Sequence, residues 1–472
     1  MHPVDGPKQD DARHAQAQRL LLADGIASQV MSTLVGGAFV VSYALLLGAS
    51  NLVIGILAAL PPLANVFNLA SVFLVRAVGR RKPVVVAAEA TGRLMLVMVG
   101  LLPLLLTGSI GLSVLVTLLA VRYFVGASGG GGWASWVRDV VPEADRADFF
   151  ARRLSYMQLV GVVLGLGVGV ALDYVEAIAP ARQLDAYALL FVVGGASGLV
   201  GVGMLARTYE PPVEPTTLRL GQLLREPFRA GNFRRLIVFM ASWNFTINLA
   251  TPFFTVFMLE QVGLSLTTVV ALTTVNQLAM VVYLRVWGRY AERYSNRALL
   301  RVCIPAMLFT LLAWTFVLLP GRHALTLPML VALHLAGGIA LAGINLAANN
   351  IGFRLSPKRD SVAYLSTLSL TNAAAAGLAP IVGGLAADFF ANRQLRVALQ
   401  WRGPAREHDW SAFAVEGWDF FFLLAFLLGW GAWALLARVE EAGQGATDEA
   451  LLPELRARVG RRFGRLTTRV GV

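Results

Sequence analysis

Gly48-Ala49-Ser50-Asn51 ends one long apolar run and starts the next, and 215 residues later Gly263-Leu264-Ser265-Leu266 stands at the same kind of junction. Pro142, closing Ser135-Trp-Val-Arg-Asp-Val-Val-Pro142, is matched 215 residues on by Pro357, closing Gly352-Phe-Arg-Leu-Ser-Pro357. Asp173 ends a Gly-rich apolar run, and at the same offset of 215 Asp388 ends another. The basic stretch Arg76-Ala-Val-Gly-Arg-Arg-Lys82 is echoed by Glu292-Arg-Tyr-Ser-Asn-Arg297 at an offset of 216. Each match is short. The shared offset makes them one signal, that of two homologous halves, a pattern common in helical membrane proteins.

The rest of the chain agrees with a membrane reading. Of its 472 residues, 57% are hydrophobic and only 14% charged, against about 25% charged in a soluble domain. Stretches of the ~20 residues needed to cross a bilayer recur twelve times, at 20–48, 51–75, 83–106, 112–137, 154–178, 186–206, 236–260, 266–284, 299–319, 325–353, 361–387 and 418–437. The fold class expected is therefore all-α integral membrane, twelve transmembrane helices as two pseudo-symmetric six-helix bundles. The domains read as an N-terminal tail at 1–19, one bundle at 20–206, a Pro-rich linker at 207–235 and a second bundle at 236–437. The second bundle holds a long external loop at 392–416 containing Trp401 and Trp410. The first apolar run is too long for a signal-peptide core and reads as a retained span. Beyond it all lies a tail, 438–472, with Leu452, Leu455, Val459, Phe463, Leu466 and Val470 at helical spacing among arginines, the pattern of a basic amphipathic helix on an anionic membrane surface.

Net charge is +12, and its placement decides the partner. Thirty-two of the forty Lys and Arg residues fall in alternate loops, the two tails included, six in the other loops, and two, Arg93 and Arg122, within spans. That is the positive-inside pattern, with both termini cytoplasmic. A nucleic-acid binder would gather its cations on one face or tail, so no nucleic-acid partner is expected. The lone Cys303 excludes a disulfide framework and a Cys-based metal site. The five His residues are scattered, so no metal and no cofactor are expected. Gly126–Gly132 lies inside an apolar span without the Lys of a phosphate-binding loop, which argues against ATP as the energy source and against an enzyme.

Several motifs resemble those of the major facilitator superfamily. Gly288-Arg-Tyr-Ala-Glu292-Arg293-Tyr-Ser-Asn-Arg297, between spans 8 and 9, is similar to its loop signature, Gly-x-x-x-Asp/Glu-Arg-x-Gly-Arg/Lys-Arg/Lys. Between spans 2 and 3, Gly79-Arg80-Arg81-Lys82 keeps the end of that signature, with Arg76 where the acid belongs and Val72 where the first Gly belongs. Arg122-Tyr-Phe-Val-Gly126-Ala-Ser-Gly129 resembles the Arg-x-x-x-Gly signature of proton-linked members. Gly377-Leu-Ala-Pro380-Ile-Val-Gly383-Gly384 in span 11 resembles a Gly-Pro-x-x-Gly-Gly signature, whereas the glycines of span 5, Gly165 among them, lack the Pro. Cations of the loop signatures, at helix ends, complement the C-terminal dipoles and can pair with nearby carboxylates. Gly79, Arg80 and Arg81 with Asp139, and Gly288, Glu292, Arg293 and Arg297 as the second-half counterpart, form either a cytoplasmic gate whose pairs break and re-form or charges that only fix topology. The resemblance also implies a cavity lined by spans 1, 4, 7 and 10. The glycines at 126, 129, 165, 377, 383 and 384, with Pro380, read as close helix packing.

An ionisable residue inside a span is costly and by default functional. Asp24, Glu89, Arg93 and Arg122 are of this kind. At 1.5 Å per residue Arg122 lies roughly 16 Å from the outer end of span 4, near the midplane. Glu89 and Arg93, spaced i,i+4 with the acid first, suit an intrahelical pair. Three roles stand open for Arg122: pairing with Asp24 or Glu89, tuning a proton-carrying carboxylate, or binding an anionic group of the solute. All four are proton-coupling candidates. The second half offers neutral groups at the same depth, Asn244, Asn248, Asn276, Gln277 and Asn345, with His334, whose side chain titrates near neutral pH. With Arg122 they are the substrate-cavity candidates. The function expected is secondary active transport of a small organic solute by alternating access, proton-coupled, by a monomer in the bacterial inner (plasma) membrane. Its partners are then a small-molecule substrate, protons and the lipid bilayer. An uncoupled facilitator, or a non-transporting assembly or sensor protein of the same fold, is the alternative.

Overall fold

The computed structural model describes residues 7–106, 108–212, 220–318, 321–402 and 407–441. The first span is a pair of helices, α1 (Pro7–Val35) and α2 (Gly37–Leu46), separated at Gly36. The second is α3 (Asn51–Asn65) and α4 (Asn68–Val78), bent by 45°. Pro61 and Pro62 stand just before the bend, where two missing N–H donors weaken the hydrogen-bond ladder. Spans three to six are α5 (Arg81–Leu105), α6 (Gly108–Val140), α7 (Glu143–Ile178) and α8 (Gln183–Arg207). A short helix, α9 (Leu220–Arg229), occupies part of the linker. The second set is α10 (Gly231–Val256), which continues through a π-helical turn at Phe257–Gln261, then α11 (Leu266–Arg293), α12 (Asn296–Trp314), α13 (Thr326–Leu355), α14 (Ser361–Phe390) and α15 (Trp418–Leu436). Among the described residues, eleven helices are long and apolar enough to cross a membrane, and the bent α3–α4 pair makes a twelfth.

Several boundaries differ from the expected ones. The N-terminal tail is helical from Pro7 and runs directly into the first span. Helices α6 and α7 have 33 and 36 residues. At 1.5 Å per residue α7 is ~54 Å long against a hydrocarbon layer of ~30 Å, so its charged first turns extend past the membrane. The basic loop at 76–82 shrinks to Gly79-Arg80, because Arg76 ends α4 and Arg81 starts α5. Gly79 makes that reversal possible, with a left-handed φ of 72°. Likewise Gly288, Glu292 and Arg293 belong to the last turns of α11 rather than to a loop. The segment expected as an external loop is an antiparallel hairpin, β1 (Gln394–Arg402) with β2 (Glu407–Glu416), in which Trp401 pairs with His408 and Trp410 with Leu399, with a bulge between Val397 and Ala398. The amphipathic positions from Leu452 to Val470 lie outside the described residues.

The chain divides into two compact units. One comprises Met1–Leu218, Thr251–Ala271 and Ala376–Phe389; the other comprises Arg219–Ala250, Leu272–Ala375 and Phe390–Val472. The first unit thus takes in the start of α11 and the end of α14, and there the repeated junctions meet. Ser50 N-caps α3, accepting from the Val53 amide at 3.4 Å. The Asp388 carboxylate accepts from the Asn51 and Leu52 amides at 3.1 and 3.0 Å. At the other junction Ser265 accepts from Thr268 N at 3.3 Å, and Asp173 accepts from the Leu266 and Thr267 amides at 2.9 and 3.0 Å. Each carboxylate satisfies two of the orphan N–H groups of a helix start and meets the positive end of its dipole. The glycine-rich faces make this approach possible. A methyl group on Gly384 would come 2.5 Å from the Asn51 carbonyl oxygen, one on Gly55 would collide with the Pro380 carbonyl, and one on Gly377 with Leu63.

The second unit packs α12, α13 and α15 around Trp314, Phe421 and Phe422, all buried. Ser295 caps α12, accepting from Ala298 N at 3.0 Å. On α7 in the first unit, Leu159, Val163, Val170 and Tyr174 are all more than half exposed along one stripe, a surface that lipid, not water, solvates.

Candidate functional site

The first unit lines an open cavity of about 790 Å³ whose walls come from α1, α3, α4, α5, α6, α7 and α8. Asp24, Glu89, Arg93, Arg122 and Arg153 all line it. Of the sequence candidates, Asp24, Glu89 and Arg93 are brought into one ion-pair network. Arg93, buried, lies 3.2 Å from Glu89 through the expected i,i+4 geometry and 3.6 Å from Asp24. It also donates to Ser28 Oγ at 3.1 Å and to the Gly198 carbonyl oxygen. Asp24, also buried, is held from a second side by Arg153 at 3.7 Å. Ser28 Oγ donates to Asp24 at 3.3 Å. Glycine makes room for these long side chains: a methyl on Gly201 would lie 2.8 Å from Arg93 Nη1, and one on Gly25 would lie 2.6 Å from Arg153 Nε.

Arg122 is placed differently. Its guanidinium stacks over the Tyr123 ring, 4.7 Å from the centroid. Its Nε is buried without a hydrogen-bond partner, and among the described residues no carboxylate lies within 4.0 Å of it. Gly126, one turn along α6, has open space where a Cβ would be and lines the cavity rather than packing against a helix. Gly129 does pack: a methyl there would lie 3.1 Å from the Ala88 side chain. A methyl on Gly165 would meet Val270 at 3.5 Å and Thr33 at 3.6 Å, ordinary contact distances, and Gly383 is buried.

The residues of the two loop motifs form two further networks. In the first unit Arg81 is buried and lies 2.6 Å from Asp139. Glu210 accepts from the Arg81 and Lys82 amides, capping α5, while Arg80 approaches its other oxygen at 3.5 Å. In the second unit Glu441 accepts from Arg297 N at 2.9 Å and Asn296 Nδ2 at 2.8 Å, capping α12, and pairs with Arg354 at 2.7 Å. Glu292 and Arg293 are exposed on α11, Arg293 lying over the Tyr294 ring, and Gly288 has open space beside it.

The second unit's neutral candidates make local bonds. Asn244 and Asn248 each donate to the carbonyl four residues back, at 2.8 Å. Asn276 donates to the His334 carbonyl at 2.9 Å, tying α11 to α13. His334 is buried, with Nδ1 2.8 Å from the Leu330 carbonyl and its ring edge-on to Trp314. Gln277 and Asn345 are exposed. None of these residues lines the first unit's cavity.

Sequence reasoning missed Arg153, Ser28, Asn65, Asn68 and Trp133 as lining residues, and Glu210 and Glu441 as caps. In sequence Arg153 reads as a loop charge because it precedes the uncharged run; α7 is continuous through it, and its side chain turns to Asp24. The two caps had a readable signal. Arg207-Thr-Tyr-Glu210 and Arg438-Val-Glu-Glu441 are an Arg-x-x-Glu repeat at an offset of 231, hidden because sixteen extra residues around the hairpin break the common spacing.

The family model for the Major Facilitator Superfamily matches residues 25–326. Among solved structures, a mutant form of the nucleoside transporter NupG is similar at 14% identity over 90% of this chain and 100% of that one, with a TM-score of 0.69. A bacterial homologue of the human lysosomal transporter Spinster, in an inward-facing and unoccupied conformation, is similar at 17% identity over 82% and 84% of the two chains, with a TM-score of 0.58. A structure concerned with substrate recognition in proton-dependent oligopeptide transporters gives 12% identity over 90% and 100%, with a TM-score of 0.61. No curated protein matches the chain.

Proposed function

Since the chain belongs to the major facilitator superfamily, as a multi-pass membrane transporter and not an enzyme, we propose that it moves a small organic solute by proton-coupled alternating access. The observation that carries this reading is the placement of Asp24, Glu89, Arg93 and Arg153 as a linked set of titratable groups on the wall of an ~790 Å³ cavity. A carboxylate that is buried and also faces an arginine has two competing influences on its proton. A change in cavity hydration during transport shifts their balance, so the site can load a proton on one side and release it on the other. Asp24 and Glu89 are the carriers in this reading. Arg93 and Arg153 set their affinity, and Arg81–Asp139 with the Glu441 cluster hold the cytoplasmic ends of the helices. The topology that goes with it has both termini in the cytoplasm of a bacterium and the chain in its inner membrane as a monomer.

The test is solute flux in proteoliposomes with and without an imposed pH gradient. Wild type is expected to respond to the gradient, and Asp24→Asn with Glu89→Gln to retain exchange while losing that response. Undiminished gradient-driven flux in the double variant would remove these carboxylates from the mechanism. The saturation of Arg93 by its partners favours one competing reading, an uncoupled facilitator with a structural network. That reading requires wild type itself to ignore the gradient.

A further inference from the structure

The cavity's charges do not cancel. Two carboxylates, Asp24 and Glu89, face three guanidiniums, Arg93, Arg122 and Arg153. Arg93 and Arg153 are engaged with the two acids at 3.2 to 3.7 Å, which leaves one positive charge, and it resides on Arg122. A cation in a low-dielectric wall without a counter-charge is expensive. The Tyr123 ring relieves part of that cost through its π-face, but it supplies no hydrogen-bond acceptor, and Arg122 Nε is buried and unmatched. The same cavity is lined by the amides of Asn65 and Asn68, which share a 3.4 Å hydrogen bond, by the open space at Gly126, by Met157 and by Trp133, whose ring lies under the Arg153 guanidinium at 5.2 Å.

We infer that the cavity is a binding site for a small organic anion, whose carboxylate or phosphate head is held by Arg122 and whose apolar body lies toward Trp133 and Met157. The inference rests on the transport reading and names its substrate class. The head supplies the missing negative charge. A planar guanidinium takes two oxygens of such a head in parallel, the geometry for which arginine is suited. Asn65 and Asn68 can then donate to oxygens that Arg122 does not reach. A cationic solute would add to the excess charge, and a neutral one would leave it unmet.

The test is thermal unfolding of the purified full chain in phosphatidylcholine nanodiscs against four probes: benzoate, phenyl phosphate, the neutral isostere benzamide and the cation benzylamine. At least one of the two anions is expected to raise the melting temperature in a saturable way, and benzamide and benzylamine are not. In Arg122→Gln the anion's apparent affinity is expected to fall roughly ten- to a hundredfold, the scale of one charge-assisted pair, with partial recovery in Arg122→Lys. Ligand-free Arg122→Gln is expected to melt no lower than wild type, because no protein carboxylate loses its partner and an uncompensated charge is removed. Stabilisation by benzamide or benzylamine alone, no response to either anion, or an anion response unchanged in Arg122→Gln would overturn the inference. So would an anion response seen in phosphatidylcholine but competed away in phosphatidylglycerol, which assigns the site to a lipid headgroup. Binding is read here without transport. Anion binding through Arg122 with no gradient response in proteoliposomes keeps the site and removes the coupling. Gradient-driven flux with no anion binding does the reverse.

Discussion

Arg93 and Arg122 sit at similar depth on neighbouring helices, yet they meet different fates. Arg93 is buried among Asp24, Glu89, Ser28 and the Gly198 carbonyl, so removing its charge leaves Glu89 unpaired and Asp24 with Arg153 alone. Arg93→Met is expected to lower stability by about 3–5 kcal/mol, the usual cost of breaking a buried pair from one side, read as a large drop in melting temperature. Removing the acids as well, with Asp24→Asn and Glu89→Gln, is expected to restore most of it; if Arg93→Met alone melts like wild type, the network carries no stability. The Glu89–Arg93 pair was legible because i,i+4 spacing fixes it within one helix. The part played by Asp24 was not. It lies on another helix, and only the close approach allowed by Gly198 and Gly201 brings the two together.

Helix starts carry the next level of organisation. Four acids cap four helices: Asp388 on α3, Asp173 on α11, Glu210 on α5 and Glu441 on α12. Asp173→Ala and Asp388→Ala are each expected to cost about 1 kcal/mol, the worth of an N-cap acceptor, and the Asn variants less, because one oxygen remains. Glu210→Ala and Glu441→Ala should cost more, since each carboxylate also faces an arginine. Unfolding midpoints of the six variants check this ranking, and equal midpoints for Asp388→Ala and wild type would mean that Ser50 alone suffices to cap α3. The repeat in sequence named Asp173 and Asp388 as equivalent. It did not reveal that each acid serves the junction in the other half of the repeat.

At the scale of the whole chain, the alternation of arginine and lysine predicts sidedness. With Cys303→Ser as background, single cysteines placed by Arg182→Cys and Arg322→Cys are expected to react in intact cells with an impermeant maleimide. Arg80→Cys and Arg297→Cys are expected to react only after permeabilisation. Labelling in the opposite sense would invert the topology. The sequence alone determined the membrane class, the number of spans and the twofold repeat, because apolar runs of bilayer length and a constant offset are properties of order along a chain. It also isolated the ionisable residues that lie within spans. Only the tertiary structure decided which of those charges cancel, that Arg153 belongs with them, that Gly126 faces a cavity while Gly129 packs, and that Arg122 is left with an unmet charge. Those outcomes depend on distances of a few ångströms between residues that lie from tens to more than a hundred positions apart, and on which face of each helix turns inward, neither of which a linear pattern encodes.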